Sequence, residues 1–252
     1  DPLVGSNKDD TYIADISSLF PISKDDPHKS DRSSSVRGAV ADVEEVRKLF
    51  YRLPETAQEL QTIARTLGAP KESVFLREEA TEKKVKSMDL NNARIIAFAT
   101  HGLISGEMKG LAEPALVLTP PKVGSLEDDG LLTASEIAQL KLDADLVILS
   151  ACNTASSDGK PGAEGLSGLA RSFFYAGARS LLVSHWPVES ESAMKLTTGM
   201  FTELAAQPGI GRAEALKRAQ LSLIQDDKNP KFAHPFYWAP FVVVGEGGVW
   251  NP

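Results

Sequence analysis

Apolar positions along the chain change their spacing near residue 73. Before it, Val43, Val46 and Phe50 recur at helical intervals, and after Pro54 a second helical stripe runs through Leu60, Ile63, Ala64 and Leu67 to Gly68, which reads as its stop. Beyond it, short apolar runs alternate with longer amphipathic stretches. The runs are Val74-Phe75-Leu76, Ile95-Ile96-Ala97-Phe98-Ala99, Leu116-Val117-Leu118, Leu146-Val147-Ile148-Leu149, Leu181-Leu182-Val183 and Phe241-Val242-Val243-Val244. Strands apolar on both faces belong to a sheet covered by helices on both sides. Between them, Thr133-Ala134-Ser135-Glu136 forms a capping box that opens a helix through Leu140. Leu166, Leu169, Ala170 and Phe173 make one apolar stripe, and Leu216, Ala219 and Leu223 another. The expected architecture is an α/β sandwich with a mostly parallel sheet.

Composition narrows this picture. Residues 1–35 are dense in Asp, Ser, Lys and Pro and read as a polar, loosely ordered arm, which leaves residues 36–252 as one domain. With 27 Lys and Arg against 34 Asp and Glu, the net charge is -7, and no dense basic block is present. That balance argues against nucleic acid or an anionic membrane as a partner and favours proteins or small molecules. No apolar run is long enough to cross a bilayer, and the expected setting is cytoplasmic. The chain opens on Asp1 rather than Met, as a piece of a longer protein would.

Cys152 is the single cysteine, and the four histidines, at 28, 101, 185 and 234, show no zinc-ligand spacing, so neither a disulfide nor a metal or other cofactor is expected. In a parallel sheet, functional groups collect beyond the carboxyl ends of the strands. Three such ends carry reactive side chains: Thr100-His101-Gly102, Ser150-Ala151-Cys152-Asn153-Thr154 and Ser184-His185-Trp186-Pro187. A thiol within reach of an imidazole ionises, attacks a carbonyl and passes a proton to the leaving amine. The backbone N–H groups of Cys152 and Gly102 are suited to hold the oxyanion. The interval from His101 to Cys152, 152 minus 101, agrees with the roughly 50 residues between the caspase histidine and its nucleophile. Taken alone, a cysteine at the end of a buried strand is better explained as a small core residue, and it is the His-Gly at a second strand end that makes the two readings level. His28 and His234 read as surface residues. Gly162-Ala163-Glu164-Gly165 lacks the pattern of a phosphate loop, and Glu113, Glu127, Asp128 and Asp129 read as a solvated loop.

Several blocks together resemble the CHAT domain, caspase-like relatives that often follow tetratricopeptide repeats in bacterial proteins. They are Phe98-Ala99-Thr100-His101-Gly102, Asp129-Gly130-Leu131-Leu132-Thr133, Leu149-Ser150-Ala151-Cys152-Asn153-Thr154, Ala176-Gly177-Ala178-Arg179-Ser180, Ser184-His185-Trp186-Pro187-Val188 and His234-Pro235-Phe236-Tyr237-Trp238-Ala239-Pro240-Phe241. Leu53-Pro54 with Glu59 is similar to the family's opening segment. The resemblance implies a caspase-haemoglobinase type of three-layer sandwich and a His/Cys dyad at His101 and Cys152 that hydrolyses peptide bonds. It also implies control by an upstream repeat region or a regulatory protein.

The caspase preference for Asp does not follow, because Leu-Ser-Ala-Cys replaces the caspase Gln-Ala-Cys. Caspase relatives hold an extended peptide against the run corresponding to Ser184, His185 and Trp186, so Trp186 is expected to wall a side-chain pocket. Glu189 would make that pocket favour a basic residue. The competing function is a catalytically silent interaction module on the same fold. A small-molecule cysteine hydrolase ranks third.

Overall fold

A computed structural model describes residues 40–50, 52–150, 168–186 and 188–249. Its centre is a four-stranded sheet in the order β1-β5-β6-β7, formed by Ile95–Ala99, Leu146–Ser150, Ser180–Ser184 and Phe241–Gly245. The first three strands are parallel, and β7 closes the sheet antiparallel to β6. Every residue of β5 and β6 is buried. The alternation of a strand divides them between two cores. Val147 and Leu149 pack with Leu169, Ala170 and Phe173 on one face, whereas Leu146 and Ile148 pack with Ile63, Leu196 and Leu216 on the other. Helix α5 (Gly168–Ala176) therefore covers the first face, and α2 (Pro54–Thr66), α6 (Ser190–Ala206) and α7 (Arg212–Ile224) cover the second.

Two expected strands behave differently. Val74-Phe75-Leu76 is half-buried but joins no sheet, lying between two short 3-10 turns, with the Lys84 ammonium 4.8 Å from the Phe75 ring centroid. The segment around Leu116 is a strand, yet it belongs to a second sheet. There, β3 (Ala115–Val117) lies between β2 (Gly102–Leu103) and β4 (Leu131–Thr133), antiparallel to both. Local apolarity alone does not specify a partner, and this run lies between two cores: Val117 packs with Val46 of α1 (Val43–Leu49), whereas Leu116 and Leu118 join the core under α5.

The helix signals have identifiable causes. At the end of α2, the Ala69 N–H donates to Ala64 O at 2.8 Å and the Gly68 N–H to Arg65 O at 3.2 Å, with Gly68 at φ 67°. That is a Schellman stop, for which glycine carries no steric penalty. The capping box forms as the sequence suggests: the backbone N–H and hydroxyl of Thr133 donate to Glu136 Oε2 at 2.9 and 2.8 Å. The helix it opens, α4 (Ala134–Ile137), is shorter than expected and continues as single turns to Leu140. Two further short helices lie among the described residues, α3 (Glu82–Ser87) and α8 (Pro235–Trp238). Residues 1–35, Leu166 and Pro187 lie outside the described residues.

Candidate functional site

The parallel strands β1, β5 and β6 end on one rim, which brings Thr100-His101-Gly102, Ser150 and Ser184-His185-Trp186 to the same side of the sheet. Register between the first two is fixed by pairing of Ala99 with Ser150. The Thr100 N–H adds a further rung, donating to the Ser150 carbonyl at 3.3 Å. His101 is the second residue after Ala99, and Cys152 is the second after Ser150. Cys152 itself, and the loop 153–162 after it, lie outside the described residues.

His101 stands where the two sheets meet. The buried Thr100 donates its hydroxyl to the Val117 carbonyl, and the Val117 N–H donates to His101 O at 2.9 Å. His101 is half-buried, with its ring 5.5 Å from that of Phe50 at the end of α1. Because His101 and Val117 form a hydrogen-bonded pair, the next facing pair, Gly102 and Leu116, is a non-hydrogen-bonded one. The Gly102 N–H consequently points away from β3.

At the third strand end, the His185 N–H donates to Pro240 O at 3.1 Å, continuing the antiparallel β6–β7 ladder past Ser184 and Phe241. Trp186 Nε1 donates to Phe236 O at 3.1 Å. Two blocks some fifty residues apart, 184–186 and 236–241, are thus stapled together, and the His185 donor of the expected peptide-pairing run is used inside the chain. Glu189 has a different duty from the one its charge suggests. One carboxylate oxygen caps α6 by accepting the Ser192 N–H at 2.9 Å, and the other meets Lys231 Nζ at 3.2 Å. A basic side chain of a ligand would have to compete with Lys231 for it. Glu189 thus occupies the N-cap position of α6, where its carboxylate satisfies a first-turn N–H.

Beneath the rim lies a residue whose role the sequence pattern concealed. Glu59 is only 3% exposed and accepts two hydroxyl bonds, from Ser150 Oγ to Oε2 at 3.2 Å and from Thr197 Oγ1 to Oε1 at 2.8 Å. Burial pushes its carboxyl up to about 7, against the opposing pull of the Thr197 and Ser150 hydroxyls. Its signal was present: Thr56, Glu59 and Ile63 are the buried positions of α2, spaced three and four apart, so the inward stripe contains a carboxyl rather than centring on Leu60.

A second polar cluster supports β4. Glu82, 1% exposed, accepts the backbone N–H groups of Asp129 and Gly130 at 2.8 and 3.1 Å. Lys86 Nζ bridges Glu82 and Glu136 at 2.7 and 2.9 Å. Gly130 has φ 88°, and a Cβ there would fall 2.7 Å from Pro120 Cβ. The block Asp129-Gly130-Leu131-Leu132-Thr133 therefore encodes a tight turn, two buried side chains and a cap. The acidic residues nearby serve the backbone in the same way: Glu113 accepts from Ser135, and Asp129 from the Ala41 N–H. Among the described residues no helix is long and apolar enough to cross a membrane.

Comparison with known proteins agrees with this arrangement of blocks. The family model described as "CHAT domain" matches residues 7–246, beginning inside the stretch read as an arm. Tetratricopeptide repeat protein 28 of Homo sapiens is 28% identical over 233 residues, covering 79% of this chain and 9% of its own length. Its Mus musculus counterpart matches to the same extent. The chain thus spans under a tenth of the length of these curated relatives. Their repeats fit the expected association, whereas the bacterial setting has no counterpart in these two mammalian proteins.

Proposed function

The chain belongs to the CHAT domain family, and from that premise we propose that it is a cysteine endopeptidase of the caspase-like type, with His101 and Cys152 as its dyad. The observation that carries this reading is the pairing of Ala99 with Ser150, from which the histidine and the cysteine are each two residues further along. In this reading residues 36–252 act as one domain of the caspase-haemoglobinase type.

His101 takes the thiol proton and returns it to the leaving amine; the thiolate attacks the peptide carbonyl, and the acyl-enzyme is hydrolysed by water. Backbone N–H groups of Gly102 and Cys152 hold the oxyanion, and the orientation of Gly102 away from β3 supports its part. Ser184, His185 and Trp186 flank the peptide, with the half-buried indole as a pocket wall. Regulation comes from a repeat region or a partner protein, and the setting is cytoplasmic. Hydrolysis of a fluorogenic peptide library by the chain and by Cys152→Ala tests the reading. Cleavage lost in the variant supports it, and equal cleavage by both overturns it.

The second reading is a silent interaction module. Its support is the name of the two relatives, which refers to tetratricopeptide repeats. Inertness of the chain toward the library, with and without the repeat region of the whole protein, would select it.

A further inference from the structure

The carboxyl group of Glu59 is out of place by the standards of a helix packed on a sheet. A buried carboxyl is costly unless it is bonded, and a leucine would serve packing alone better. This one joins three elements, with Ser150 on β5, Thr197 on α6 and itself on α2. Ser150 is held twice, since its carbonyl also accepts the Thr100 N–H. The helix on one side and β1 on the other thereby fix the residue that precedes Ala151 and Cys152.

We propose that Glu59 is a positioning residue for the nucleophile, acting through the Ser150 hydroxyl to fix the end of β5 and thus the reactivity of the thiol two residues on. This deepens the peptidase reading and rests on it for the thiol's role.

The hydrogen bonds give the device two states. Thr197 Oγ1 lies 2.8 Å from Glu59 Oε1 and 3.0 Å from the Ala193 carbonyl, with one proton to donate. When Glu59 is ionised, Thr197 donates to it. When Glu59 is protonated, its O–H donates to Thr197, whose own proton turns to Ala193 O. Ser150 donates to Oε2 in both states, but the bond is charge-assisted only in the first, where it is about twice as strong.

No cation intervenes among the described residues. The charged groups on the packed elements are Glu55 and Arg65 on α2 and Glu191, Lys195 and Glu203 on α6, of which Lys195 pairs with Asp226 and Glu191. On β5 there are none; Asp145, just before it, is bound to Arg94 and Arg179. The hold on Ser150 accordingly tightens as pH rises through about 7.

Cys152 is the sole cysteine, so its alkylation by iodoacetamide, followed by intact mass across pH 5 to 10, reads this thiol without any need for peptide hydrolysis. The intact chain should show an inflection near 7 besides that of the thiol itself. Glu59→Gln and Ser150→Ala should each remove it, and Ser150→Ala should change the rate at pH 8 about fivefold. Ser150→Ala leaves the carboxyl in place and carries the test alone if Glu59→Gln does not fold. An inflection that survives Ser150→Ala, or its absence from the parent chain, overturns the proposal. Failure of the peptidase reading appears separately, as an inert chain whose alkylation profile still responds to Ser150→Ala.

Discussion

The N–H of Thr100 points at the carbonyl of Ser150, 3.3 Å away, and this one rung sets the ends of β1 and β5 level. Among the described residues it is the last main-chain tie between these two strands. Because Thr100 is also bound to Val117 through its hydroxyl, the histidine's position is referenced to both sheets at once.

The dyad is tested by single replacements. Cys152→Ala and His101→Ala should each lower peptide hydrolysis by about a thousandfold or more, since attack and leaving-group protonation pass through the same pair. His185→Ala should leave a measurable rate, because His185 is exposed and its main chain is already anchored to Pro240. Steady-state kinetics on one fluorogenic peptide separates the three, and a larger loss in His185→Ala than in His101→Ala would reverse the assignment.

Glu59 also imposes a pH dependence on stability. Its ordinary value is 4.5 and its folded value about 7, so between these limits the folded chain keeps a proton that the unfolded chain has released. Stability therefore falls as pH rises through this window, by about 3 kcal/mol in total, and the contribution is level above it. Glu59→Gln should lack that contribution, so urea denaturation should show its stability relative to the parent rising between pH 5 and 8. A constant difference across that range would mean that the carboxyl titrates as it does in the unfolded chain.

Trp186→Ala should weaken peptide binding while leaving the fold in place. The indole is half-buried and makes one bond to the Phe236 carbonyl. KM should rise about tenfold with a smaller change in kcat, as expected for loss of a pocket wall. Unchanged constants in a variant with the parent's circular dichroism would move the peptide groove away from this strand end.

Lys86→Met should destabilise the fold by about 3 kcal/mol, because it leaves the buried Glu82 and its neighbour Glu136 without their shared cation. Thermal unfolding reads the loss. A second change, Glu136→Gln, should recover part of it by removing one of the two facing negative charges, and the absence of recovery would contradict a shared role for the ammonium.

The layered core was legible in the sequence because β5 and β6 are apolar on both faces and their flanking helices repeat at helical spacing. The second sheet was not, since Leu116-Val117-Leu118 carries the same local signal as a central strand, and its partners β2 and β4 are too brief to stand out as apolar runs. His101 and the Ser150 end stood out as polar residues closing apolar runs. Glu59 stood out only through the resemblance it shares with Leu53-Pro54 and not as a buried group, because a glutamate in a helix is ordinarily a solvated residue and its inward place emerges from its phase with Thr56 and Ile63. Glu189 shows the opposite failing: a charge near the rim suggested recognition, yet its carboxylate is taken up by the first turn of α6 and by Lys231.

The pairing of β5 with β6 and the packing of α2 on α6 join chain segments that precede residue 151 to segments that follow residue 167. A chain severed anywhere between these positions would keep its fragments interlocked. It would migrate as one particle on a native gel and come apart only in denaturant, so a cut there would be invisible to gel filtration.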